Sequence, residues 1–160
     1  ECEAEESIWE VVNAEYCYAL HVRKYPRHTS GLIAYSRFLA TKSLPLIMQE
    51  NAPNDDPRHA SGERRYDEAL ALLKRAERLE PQNPEPSILI CNVLRLRDGE
   101  GPFSLGKVED CLRAAAAAHD HPVAYHNLAA LLEQTGREGE ATKVRKSASM
   151  IRDARRHSEL

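Results

Sequence analysis

An all-α fold, an α-solenoid of about three helical hairpins with an additional N-terminal helix, follows from three features of these 160 residues. The composition leans to Ala, Leu, Glu and Arg, while strand-favouring residues are thin, with two Phe and six Tyr in the chain. Apolar residues return at helical intervals between breaks marked by Pro and Gly. Small residues seven apart recur at Ala69 and Ala76, at Cys111 and Ala118, and at Ala141 and Ala148, the signature of a repeated helical unit.

The elements follow in order. Ile8, Val11, Val12, Cys17 and Leu20 lie on one helical stripe that Pro26 closes, which predicts a first helix from Ser7 to Tyr25. A second is predicted to start at a Thr29-Ser30 cap and to run through Leu32, Tyr35, Phe38 and Leu39 towards Met48, with a kink at Pro45. The stretch NAPNDDPRHASG, residues 51 to 62, is turn chemistry and reads as a long exposed loop. Its Asn54, Asp55 and Asp56 lack the Gly and terminal Glu of a calcium loop.

Tyr66, Ala69, Leu70, Leu73, Ala76 and Leu79 form one face of a helix from Glu63 to Glu80, stopped by Pro81. Asn83 caps the next helix, with Pro84 in its first turn and Gly99 at its end. A loop, DGEGPFSLG, leads to a helix from Lys107 to His119, and its Ala114 to Ala118 run leaves room for a close neighbour. Pro122 opens a further helix that Gly136 ends, and the last runs from Glu138 to Arg156.

The stretch PVAYHNLAALLEQTGREGEATKVRKSA, residues 122 to 148, resembles a whole tetratricopeptide repeat: Tyr125, Leu128, Ala129, Leu132, Gly136, Ala141 and Ala148 fall on that family's aromatic, leucine, small and turn positions. Upstream, YDEALALLKRAERLEPQNPEP is similar to the second helix of one repeat and the start of the next, with Cys91 at that next repeat's small position. The resemblance implies a single domain over 1–160, made of an N-terminal helix (1–28), an irregular repeat 1 (29–80), repeat 2 (84–119), and repeat 3 with a basic terminal helix (122–156). Spacing departs from the family pattern. Cys91 to Cys111 is 20 residues where Ala129 to Ala141 is 12, and Arg145 stands where the family buries a large apolar side chain. The last helix is thus expected to be a solvated cap, or to be covered by another element.

The resemblance also implies a function, a protein-interaction scaffold or adaptor that holds a peptide or helix of a partner in the concave groove lined by first helices. By register the exposed groove set is Glu85, Ile88, Asn92 and Arg95, then Val123, His126, Ala130 and Glu133, with Ser36, Ala40 and Ser43 extending it. Asn92 and Asn127 match two asparagines with which some members grip a ligand's main chain or terminal carboxylate, although Ile88 replaces a lysine of those members.

Charge is nearly balanced at −3, so no polyanionic or strongly basic partner is implied by the whole. Glu1, Glu3, Glu5, Glu6 and Glu10 crowd one end, and Arg137, Lys143, Arg145, Lys146, Arg152, Arg155 and Arg156 the other, leaving open a nucleic-acid-associated protein that uses its basic C-terminal helix. A non-catalytic module of a larger enzyme is the other alternative. The chain itself reads as no enzyme. It has no G-x-S-x-G, no H-E-x-x-H and no phosphate-cradling glycine loop.

No cofactor or metal is expected: His119-Asp120-His121 reads as helix capping, and Trp9, Tyr16 and Tyr18 as packing residues. Cys2, Cys17, Cys91 and Cys111 contain no C-x-x-C pair and read as reduced thiols, with Cys91 and Cys111 expected to be close enough for oxidation to join them. No apolar run reaches the roughly 20 residues of a membrane helix, so a cytoplasmic location is expected. A start at Glu1 without Met reads as an excised domain or processed form.

Overall fold

In the computed structural model, residues 8–43, 57–99 and 101–158 are described. They form seven α-helices and no strand: α1 (Ile8–Lys24), α2 (Thr29–Phe38), α3 (Pro57–Leu79), α4 (Pro84–Asp98), α5 (Pro102–His119), α6 (Pro122–Gln134) and α7 (Glu138–Ser158). The chain separates into two compact units, Glu1–Pro81 and Gln82–Leu160.

In the first unit α2 packs against both α1 and α3. Leu32, Leu39, Ala69, Leu73 and Ala76 have no exposed surface and form its centre. Tyr18 stacks on Tyr35 with centroids 5.9 Å apart and tilts against Phe38 at 5.2 Å, as expected of a packing aromatic. Tyr16 does not pack; it is 66% exposed. Arg65 of α3 reaches Glu15 of α1 at 2.5 Å. Burial, followed by the nearby charges of Glu68 and Glu15, pushes the Tyr35 hydroxyl well above its ordinary range.

The cap of α2 falls on His28, one residue before the predicted Thr29-Ser30 pair. Its ring makes no capping bond because it is committed elsewhere, to His21 at 2.8 Å and to the Ser30 hydroxyl at 3.0 Å. Gly31 leaves room for that contact, since a Cβ there would lie 2.8 Å from the His21 ring. Beyond Phe38 the helix widens into a π-helical turn, Leu39–Ser43. The Pro45 kink and the run to Met48 lie outside the described residues, as do Asn54, Asp55 and Asp56.

The predicted loop over residues 51 to 62 is corrected at its end, for α3 already begins at Pro57. Proline suits a first helical position, where its fixed φ is helical and its missing N–H would have had no partner. The same reason moves the start of α5 from the predicted Lys107 back to Pro102, with the Leu105 amide donating to the Gly101 carbonyl at 2.9 Å.

In the second unit each helix packs on its neighbour in sequence: α4 on α5, α5 on α6, and α6 on α7. Cys91, Leu112, Ala116, Leu128, Ala129, Leu132 and Ala141 share one core. Within α5, Ala115 and Ala116 are buried while Ala118, expected at a small packing position, is exposed. Gly99 and Gly136, at φ 75° and 76°, end α4 and α6 in a conformation that other residues enter at a cost. Cys91 and Cys111 are joined by a disulfide, with Cα atoms 5.6 Å apart. Cys17 is disulfide-bonded too, and no described cysteine is free, which corrects the reduced-thiol expectation.

Candidate partner-binding face

The two helices expected to face a partner, α4 and α6, start in the same way. The Asn83 side chain accepts from the Glu85 amide at 3.0 Å, and the His121 ring accepts from the Val123 amide at 3.3 Å, with proline next in each case. Each cap satisfies an amide that has no partner inside the helix, and so fixes where the register of the following side chains begins. His119 meets the Ser87 hydroxyl at 3.0 Å, and Asp120 closes α5 in the left-handed region at φ 46°. The His119-Asp120-His121 stretch therefore caps helices, and no group of three metal-ligating side chains occurs among the described residues.

At their far ends α4 and α6 are tied together, the Arg95 guanidinium donating to the Gln134 side-chain oxygen at 2.6 Å. That hydrogen bond links the far ends of the first helices of the two hairpins. Glu133 of α6 is held by Arg145 of α7 through both guanidinium nitrogens. The position where the family buries an apolar residue is here the basic half of a surface ion pair.

The sequence-selected residues divide accordingly. Asn92, His126 and Ala130 are exposed and Asn127 is half-buried, while Arg95 and Glu133 are engaged within the protein. Ile88 is corrected: it is 6% exposed and belongs to the core with Leu128 and Ala124, because an apolar side chain that can reach that core gains more than one left in water. Ser36 and Ala40 are likewise buried rather than extending a groove, and the Ser36 hydroxyl donates to the Ile33 carbonyl at 2.7 Å. The side chain of Ser43 lies outside the described residues. Leu96 and Gln134 were missed. Leu96, one turn beyond Asn92 on α4, is 50% exposed; Val123 in the first turn of α6 is 45% exposed; and Gln134 supplies the tie to Arg95. The signal for Leu96 was present in its spacing of four from Asn92.

Behind this face, α5 and α7 are clamped by charge. Arg137 donates to Glu109 at 2.7 Å and to Glu140 at 2.7 Å, and Arg113 donates to Glu109 at 2.6 Å. Burial alone would raise the Glu109 carboxyl, but hydrogen bonds from Arg113 and Arg137 override it and hold it below the ordinary carboxylate range. The Arg137 hydrogen bonds depress Glu140 in the same way.

Among solved structures the chain is similar to TTC0263, described as a thermophilic TPR protein in Thermus thermophilus, with TM-score 0.62 and 25% identity over 86% of this chain. It is similar also to a structure described as MamA MSR-1 C2, with TM-score 0.53 and 14% identity over 90% of this chain. The chain has the tetratricopeptide repeat fold. It spans 63% of the length of the Thermus protein and 68% of that of the second. No family model matches the sequence, and no curated protein does. With α2–α3 counted as the first, α4–α5 and α6–α7 are the second and third helical hairpins in chain order, and no described helix is long and apolar enough to cross a membrane.

Proposed function

We propose that this chain is a non-catalytic interaction module that binds a peptide or helix of a partner protein across the exposed face of α4 and α6. The observation that carries the reading is the composition of that face. Asn92 and Asn127 offer amides that both donate and accept, and Leu96, Val123 and Ala130 offer apolar surface beside them. An extended main chain needs the first, and its side chains need the second. The tie of Arg95 to Gln134 links α4 to α6, and the ion pair of Glu133 with Arg145 links α6 to α7.

The nucleic-acid alternative is weakened by pairing: Arg137 and Arg145, two cations of the basic segment, are each neutralised by glutamates. The test is affinity capture with the wild-type chain and with an Asn92→Ala, Asn127→Ala double variant, followed by titration of what the wild type retains. The reading requires a partner that binds the first and is lost by the second. Equal binding to both would reject it.

A further inference from the structure

Two hairpins in the second unit meet one packing demand in different ways. In α6–α7 the small positions are Ala129 and Ala141, both fully buried. In α4–α5 the small position of the first helix holds the fully buried Cys91, which is bonded across a sequence separation of 20 to the partly exposed Cys111 of the second. We propose that the Cys91–Cys111 disulfide is a redox-controlled staple that sets the spacing of α4 and α5, so that reduction loosens this hairpin and leaves α6–α7 intact.

Bonded sulfurs lie about 2 Å apart. Unbonded heavy atoms settle at roughly 3.5 to 4 Å. Reduction therefore demands more room between α4 and α5, at a point where Cys91 has no exposure and shares its core with Val108, Leu112 and Ala115. A close-packed core has no slack to give. Either the helices separate or Cys111, the partly exposed partner, turns outward, and both loosen the contact. The Ala129 and Ala141 pair indicates that such a hairpin closes without a covalent bond, so the reduced unit remains folded.

The chemistry closes with a small disulfide such as oxidised glutathione as oxidant. The Cys111 thiolate, the accessible one, attacks it and releases one glutathione thiolate. The Cys91 thiolate then attacks the Cys111 sulfur of the mixed disulfide and releases the second. Two protein thiols lose two electrons and two protons, and one glutathione disulfide becomes two glutathione thiols. The same steps in reverse open the staple wherever reduced glutathione prevails.

Asn92 follows Cys91 directly and Leu96 lies one turn on, so a loosened α4 changes the face offered to a partner. That consequence rests on the proposed binding face; the staple itself does not. Hydrogen exchange of the full chain, in oxidised and in reduced glutathione with alkylation read by mass spectrometry, tests it. Cys91 and Cys111 should be alkylated only in the reduced buffer, where amides of α4 and α5 should exchange at least about fivefold faster while those of α6 and α7 change by less than about twofold. A Cys91→Ala, Cys111→Ala variant should show no difference at α4 and α5 between the buffers. The staple is overturned by thiols that stay alkylatable in oxidised glutathione, by equal exchange in both buffers, or by lost protection across all four helices. An unchanged exchange response in the Asn92→Ala, Asn127→Ala chain, with partner binding also unchanged, would count against the binding face and for the staple.

Discussion

Arg145 of α7 grips the carboxylate of Glu133 of α6 from twelve residues away, with one guanidinium nitrogen 2.7 Å from the second carboxylate oxygen. This joins the two helices of the third hairpin on its surface and withdraws Glu133 from a partner. A Glu133→Gln variant should therefore keep its affinity within about twofold and lose only about 0 to 1 kcal/mol of stability, the range of an exposed ion pair. Urea unfolding and a binding titration on the same preparation check both numbers.

The charge cluster behind the face makes stability depend on pH. Glu109 and Glu140 are held below the ordinary carboxylate range when folded, so the unfolded chain binds more protons as the solution is acidified. Their contribution is complete above that range and is lost as pH falls through it and below. The urea midpoint should be flat near neutrality and drop on acidification. Arg137→Gln, which removes donors from both carboxylates, should flatten that drop.

Gly136→Ala isolates a backbone effect. No atom lies within 4 Å of the site of a new Cβ, so space is open and only the φ of 76° matters. The expected loss is about 1 to 2 kcal/mol. A melting temperature lower by roughly 2 to 8 °C would accompany it for a chain of 160 residues. No change in melting temperature would show that the turn relaxes.

Gly31→Ala should act through crowding. The added carbon would come within 2.8 Å of the His21 ring and 2.9 Å of the His28 ring, forcing apart two imidazoles that share a hydrogen bond. The expected cost is about 1 to 3 kcal/mol. Imidazole resonances of His21 and His28 should both move, and their constancy would refute the crowding.

Helix type and most helix ends were legible because they rest on local signals. Asn83 with Pro84, Gly99, Pro122 and Gly136 act where they stand in the chain, and each marks a boundary of α4 or α6. The closeness of Cys91 to Cys111 was legible from register alone. Where local signals compete, the reading went astray: glycines and polar residues around Pro57 and Pro102 announce a loop, yet each proline is itself a helix start. Depth was hidden as well. Register gives the angle of Ile88, Ser36 and Ala40 about their helices, but whether a neighbour covers that angle depends on contacts distant in sequence. The pairings of Glu133 with Arg145 and Arg95 with Gln134 were invisible for the same reason.

The most direct test of the binding face is nuclear magnetic resonance of the 18.0 kDa chain titrated with a peptide from the captured partner. The account predicts that the side-chain amide signals of Asn92 and Asn127 and the methyl signals of Leu96, Val123 and Ala130 shift together along one saturation curve. Shifts confined to Lys143, Lys146 and Arg152 on α7, with Asn92 and Asn127 unmoved, would contradict it.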